Sequence, residues 1–215
     1  MKTNLLTYFI CLFSIITFGQ KKEIYLNDDL IKISKPEFNK ETDDHKSYNM
    51  KFDLDTLIVN VKVQRIKKGK ISKTKLDSIR TELSSISNQS VPENNILILN
   101  YYHGLDWCNS TGDKSYVRGK YKNYLRKIKK LKNVNQFFMY KSPEGTAEYG
   151  KQLNWIKDEF GIIEKTFLPI HYPCGSYVLI DENGNFYIQK GEYNIENIIG
   201  LIKNKKKTFA NTVYN

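Results

Sequence analysis

The sequence predicts an α/β fold, with helices on both faces of a central mixed sheet. Three observations carry the prediction. Short apolar runs with strand character recur at 57–63, 96–99, 134–140 and 177–180. Between them lie segments with apolar residues every three or four positions, the mark of amphipathic helices. A turn signal, Asp181-Glu182-Asn183-Gly184, then joins two strands as a hairpin. Strands alternating with helices imply parallel pairing, and right-handed crossovers place the helices on the two sheet faces.

The N-terminus carries an address rather than structure. Lys2 gives a positive start, and the uncharged apolar run Leu5 to Phe18 follows. Thr17 and Gly19 are small residues at −3 and −1 of a cut before Gln20, so residues 1–19 are expected to be a secretory signal peptide. The run is shorter than the roughly 20 residues of a membrane span, which argues against a retained anchor. Cys11 lacks the preceding small residues of a lipidation site. The protein is therefore expected to be exported, periplasmic or secreted, with no stable membrane span after cleavage.

Residues 20–54 read as a polar N-terminal extension, with short strands near Ile24–Leu26 and Leu30–Ile33 and a charged loop over 39–48. A domain over 55–215 follows. Its first strand is Leu57 to Val63, in which alternate residues are apolar, and Lys67-Lys68-Gly69-Lys70 reads as a turn. Ser72 caps a helix striped by Leu76, Ile79, Leu83 and Ile86. Ile96-Leu97-Ile98-Leu99 is a strand buried on both faces. A second helix begins at Cys108 or a few residues later, with Val117, Tyr121, Tyr124, Leu125, Ile128 and Leu131 on one face. After the strand 134–140, Tyr149, Leu153, Ile156 and Phe160 mark a third helix ended by Gly161. The strand Tyr177–Ile180, the return strand Phe186–Ile188 and a helix striped by Ile195, Ile198, Ile199 and Ile202 complete the chain.

Composition narrows the classes of function. With 40% hydrophobic and 27% charged residues the chain is globular. Its net charge of +11 is concentrated in 118–132 and 203–207. For an exported chain such charge points to solubility or an acidic partner rather than nucleic acid. No phosphate-binding glycine loop, metalloprotease helix motif or repeat is present, and no cofactor is expected.

The order of elements resembles the thioredoxin fold, a three-layer sandwich, over about residues 55 to 205. Two motifs sharpen the likeness. Trp107-Cys108-Asn109-Ser110-Thr111 follows the central strand, where thioredoxin-like proteins carry Trp-Cys-x-x-Cys. Cys174-Gly175-Ser176, leading into Tyr177 and the Asp181–Gly184 turn, looks like the family's cis-proline, strand and hairpin segment. Thr111 replaces the resolving cysteine, and Gly175 falls where the cis-proline would sit, with Pro173 two residues away.

The resemblance implies thiol–disulfide exchange, or a derivative of it, with protein thiols or disulfides as partners. Cys108 at a helix mouth is the candidate nucleophile, because backbone N–H groups and the helix dipole favour the thiolate. Trp107 would shield its sulfur, and Thr111 would donate a hydrogen bond to it. Cys174, next to the cis-proline position, is the possible partner, either as a redox pair or as a structural clasp. Alternatives stay open at this point. One is a non-catalytic binding module for another envelope protein, working through the basic helix face 118–132. Another is a zinc or cuprous site using both cysteines with His103 and His171. A Cys108–His171 hydrolase is a third.

Overall fold

The computed structural model describes residues 21–41, 43–107 and 114–210. The expected leader, Cys108 and Thr111 lie outside the described residues. The chain divides into two compact units between Val63 and Gln64.

The first unit contains strands β1 (Lys22–Asn27), β2 (Ser47–Asp53) and β3 (Leu57–Gln64, reaching one residue past the division) and a short helix α1 (Lys35–Asn39). Their sheet has the order β1-β3-β2, with β1 parallel to β3. Helix α1 starts where the Ser34 hydroxyl accepts from the Glu37 N–H at 3.3 Å. It ends over the buried Lys62, whose ammonium donates to the carbonyls of Glu37, Phe38 and Lys40 at 3.0, 3.2 and 2.8 Å. The strand expected to open the C-terminal domain is thus the middle strand of an N-terminal sheet. Its alternation fixes a half-buried strand but not its partner, and that partner, β1, comes from the extension. The strand expected at Leu30–Ile33 reduces to a single bridge, Leu26 with Lys32.

The second unit is built on a six-stranded sheet of order β4-β9-β8-β5-β6-β7. Strand β4 (Ile66–Lys70) occupies the segment expected to be a turn and pairs antiparallel with β9 (Asn185–Gln189). Phe186 of β9 covers Gly69, where an added Cβ would come within 2.5 Å of the ring. Helix α2 (Lys73–Ser87) starts as expected, with the Ser72 hydroxyl accepting from Lys75 N–H at 3.2 Å. It ends at Asn88 in the left-handed conformation.

Strand β5 (Ile96–Tyr102) is buried along its whole length. It runs parallel to β6 (Val134–Tyr140) and antiparallel to β8 (Ser176–Ile180). Ile96, Ile98, Phe138, Tyr177 and Leu179 form a core with Tyr124 and Ile128 of α3 (Lys114–Ile128) and Ile198 and Ile202 of α5 (Asn197–Lys203). Leu97, Leu99, Phe137, Met139, Val178 and Ile180 alternate with them and are equally buried on the opposite face. Helix α6 (Lys205–Thr208) is the last element among the described residues.

The third helix is not formed as expected. Tyr149 closes a 3-10 turn (Thr146–Tyr149), Ile156 lies in β7 (Trp155–Lys157), and Phe160 is exposed. Helix α4 (Ile162–Phe167) starts after Gly161 instead of ending there. Glycines at 145, 150 and 161 all have positive φ and break the chain into these pieces. β7 then takes the edge beside β6, in parallel.

The hairpin reads as expected. The Asp181 carboxylate accepts from the N–H groups of Asn183 and Asn185 at 2.9 and 2.8 Å, which fixes the turn. Gly184 has φ +81 and lies against the Ile71 carbonyl.

Candidate functional site: two loops meeting at Asp106

Two loops converge beyond the C-terminal end of β5. One is His103 to Trp107, leaving β5. The other runs from Leu168, after α4, to Gly175, before β8. Several contacts tie them. The His103 Nε2 lies 3.2 Å from the Leu168 carbonyl oxygen. The rings of His103 and His171 stack with centroids 5.1 Å apart and 16° between planes. The Asp106 Oδ2 accepts from the Cys174 N–H at 2.9 Å and lies 3.4 Å from His171 Nε2.

His103 is buried, with Tyr101 and Tyr172 edge-on to its ring. Burial pushes its pKa down to about 4, although the Leu168 carbonyl favours the protonated ring. The Nε2 proton faces that carbonyl, so Nδ1 is the acceptor nitrogen, and it is buried without a partner among the described residues. Burial, and next the charge of Asp106, pushes the Tyr102 hydroxyl up to about 12. Tyr101 is driven higher by burial and by Asp158, whose carboxylate accepts its hydroxyl proton at 3.1 Å. The same carboxylate accepts from the Glu164 N–H at 3.0 Å, pinning the first turn of α4.

Cys174 is in a disulfide whose partner lies outside the described residues. Its φ is +65, a strained value for a residue with a Cβ, and Gly175 follows at +85. Glycine suits that second position, since a Cβ there would approach the Tyr101 carbonyl oxygen to 3.2 Å. No cis peptide bond occurs among the described residues. Trp107 is 79% exposed, so most of its indole faces solvent. No group of three His, Cys, Asp or Glu residues able to hold a metal ion occurs among the described residues. His103 and His171 stack on one another face to face, with His103 Nε2 directed at a backbone carbonyl.

The strand leading to the site lies inside the sheet. It is parallel to β6 on one side and antiparallel, on the other, to the first strand of a hairpin. The fold is thioredoxin-like. No protein-family model and no curated protein sequence matches the chain. Among solved structures it is similar to the exposed lipoprotein thioredoxin of Streptococcus pneumoniae, at 12% identity and TM-score 0.38, over 73% of this chain and 99% of that one. It is also similar to a secreted disulfide oxidoreductase of Mycobacterium tuberculosis, at 10% identity and TM-score 0.36, over 52% and 82%. A third is the thioredoxin domain of a thiol-disulfide oxidoreductase of Bacteroides vulgatus, at 10% identity and TM-score 0.34, over 74% and 94%. At such values the fold rests on strand order and direction. No helix among the described residues is long and apolar enough to cross a membrane.

Asp106 was not singled out by its sequence context. It lies 68 positions from its contact at Cys174, and no short spacing encodes that contact. A lone acid between Leu105 and Trp107, two residues before a cysteine, was the only local signal.

Proposed function

We propose that this chain is an exported thioredoxin-like protein that exchanges thiols and disulfides with other proteins through Cys108, with Cys174 as its partner. One observation carries the reading: Cys174 is disulfide-bonded, and its N–H is held by Asp106, two positions before Cys108. Two residues of chain span about 7 Å at most, which keeps Cys108 near the loop that carries Cys174. The other cysteine, Cys11, lies in the leader that export would remove.

In this reading a substrate thiolate attacks the Cys108 sulfur, and the electron pair of the old S–S bond leaves with Cys174. A second substrate thiol then displaces Cys108, releasing oxidised substrate and a reduced pair. Cys174 supplies the second sulfur that Thr111 cannot. The Thr111 hydroxyl serves as donor to the Cys108 thiolate, the exposed Trp107 offers an apolar surface beside it, and Gly175 lets the Cys174 loop approach Tyr101.

Alkylation and mass spectrometry across a glutathione redox series test the proposal. Reversible opening between roughly −120 and −270 mV, abolished by Cys108→Ser, is expected of an exchange pair. A bond that resists to below about −300 mV is a clasp. That result favours the second reading, a non-catalytic module that binds an envelope protein through the basic face of α3. A groove of about 580 Å³ lined by Lys122, Arg126 and Lys129 is the observation that supports it.

A further inference from the structure

We propose that the groove on α3 is a binding site for a short, extended acidic segment of a partner protein. The inference gives a ligand to the groove that the second reading invokes, and it holds whether the cysteine pair exchanges or clasps.

The charge of this protein is concentrated in one place. Residues 114–132 hold nine Lys or Arg and no Asp or Glu, so this segment supplies most of the net charge of +11. Along α3, Arg118, Lys122 and Arg126 follow one another at four-residue spacing and share one side of the helix. Like charges at that spacing repel and weaken a helix. Elsewhere on α3 a counter-charge is supplied: Lys127 pairs with Glu196 at 2.6 Å, and the Asn123 amide donates to the same carboxylate at 2.8 Å. Arg118 and Arg126 donate instead to neutral acceptors, the Glu148 carbonyl at 3.3 Å and the Asn123 side-chain oxygen at 2.8 Å. No ion pair reaches Lys122, Arg126 or Lys129 among the described residues.

A second feature of the same face also weakens the helix. Gly119 lies inside α3, where glycine is a poor helix former. A Cβ added there would meet no atom within 4 Å, so packing within the fold does not demand a glycine. Gly119 nevertheless lines the same groove as Lys122, Arg126 and Lys129. A glycine facing open space gives a guest chain close access to the helix backbone. Uncompensated positive charge and a missing Cβ thus have one explanation, an anionic ligand that lies flat against the helix.

The shape of the groove selects among anions. It is a concave space of about 580 Å³ with Leu125 in its lining. Gln152 lines it from the loop before β7, and its amide donates to the carbonyls of Tyr149 and Arg118 at 3.0 and 3.4 Å, tying that loop to the helix. From Arg118 to Arg126 the helix rises about 12 Å, the reach of about four residues of extended chain. A lipid surface matches less well, since it favours a helix with outward apolar anchors. Tyr124 and Ile128 of α3 are buried in the core, and the exposed Tyr116 has the Lys120 ammonium over its ring at 5.8 Å.

Fluorescence anisotropy of a labelled hexaglutamate peptide tests the proposal. Binding is read in the oxidised protein, so its outcome stands apart from the glutathione titration that divides exchange from clasp. Saturable binding is expected at about 50 mM salt and should be lost by about 0.5 M. Lys122→Glu combined with Arg126→Glu should weaken it about tenfold or more. Lys203→Glu combined with Lys206→Glu changes the net charge equally, at exposed positions outside the groove, and should leave binding within about twofold. Gly119→Leu fills the groove with a good helix former and should weaken binding severalfold without lowering the urea midpoint. Equal losses in the two double variants overturn the proposal, because the peptide would then be following diffuse charge. Undiminished binding in Gly119→Leu overturns it as well. Vesicles of phosphatidylglycerol and phosphatidylcholine, at about one to three, supply the last arm. Protein that sediments with them but does not bind the peptide overturns the proposal in favour of a lipid surface.

Discussion

Acidification should destabilise the folded protein through one buried side chain. His103 is 4% exposed, stacked on His171 and edged by two tyrosines. Its ordinary value of 6.5 falls to about 4 in the fold, first because burial disfavours the charged ring. The folded state therefore refuses a proton that the unfolded chain accepts between those two values. The contribution is fully present above about pH 6.5, shrinks as pH falls, and is gone below about pH 4. A shift of this size is worth about 3 kcal/mol, a large share of the 5–15 kcal/mol that holds a typical domain together.

The assay is urea unfolding of the oxidised protein at steps from about pH 7.5 to about pH 4, beside His103→Gln. Glutamine can still donate to the Leu168 carbonyl but does not titrate. Carboxylates titrating over the same range are common to both proteins and cancel in the difference. The advantage of wild type over the variant should shrink by about 3 kcal/mol across the series. A difference that stays flat with pH would refute the reasoning, as would a His103 ring that titrates near its ordinary value by NMR.

Two further outcomes follow from the scaffold. Gly184→Ala places a Cβ 2.7 Å from the Ile71 carbonyl oxygen at φ +81, and should cost about 2 kcal/mol or more in urea unfolding. A loss under half of that would mean the hairpin relaxes around it. Lys62→Met removes the donor to three carbonyls at the end of α1 and should raise amide exchange across 35–40 severalfold, with unchanged exchange in β5. Exchange in α1 equal to wild type would show that the ammonium is not what holds it.

The parts of the fold that could be read from the chain are those whose signal is local. Ser72 caps α2 with its own side chain, β5 is apolar because both its faces are covered, and Asp181 builds the hairpin turn from residues within four positions. Where the reading failed, a period arose by coincidence. Leu153 is buried and Tyr149 packs against the same core, but Tyr149 closes the 3-10 turn while Leu153 lies in the bend before β7, and Phe160 is exposed. Helical spacing among them reflects a shared destination, not a shared helix. Leu57–Val63 shows the other limit, since alternation reveals that a strand is half-buried and says nothing of which sheet receives it.

Less of the site was legible. The cysteine motifs point to the two loops, and Cys174 is in a disulfide. The His103–His171 stack and the carboxylate of Asp106 depend on a loop more than sixty positions away, and only folding brings such residues together.

The lysines of β4 have a consequence for how copies of the molecule meet. β4 is the outermost strand on its side of the six-stranded sheet, where unpaired backbone groups would otherwise invite a strand from a neighbour. Three of its five residues are Lys67, Lys68 and Lys70. Lys68 reaches the carbonyl of Lys207 at 3.1 Å and bends over the Tyr187 ring. Two copies approaching edge to edge would bring like charges into register along the whole strand. The segment whose lysines disguised it as a turn thus sets like charge against any strand added at that edge.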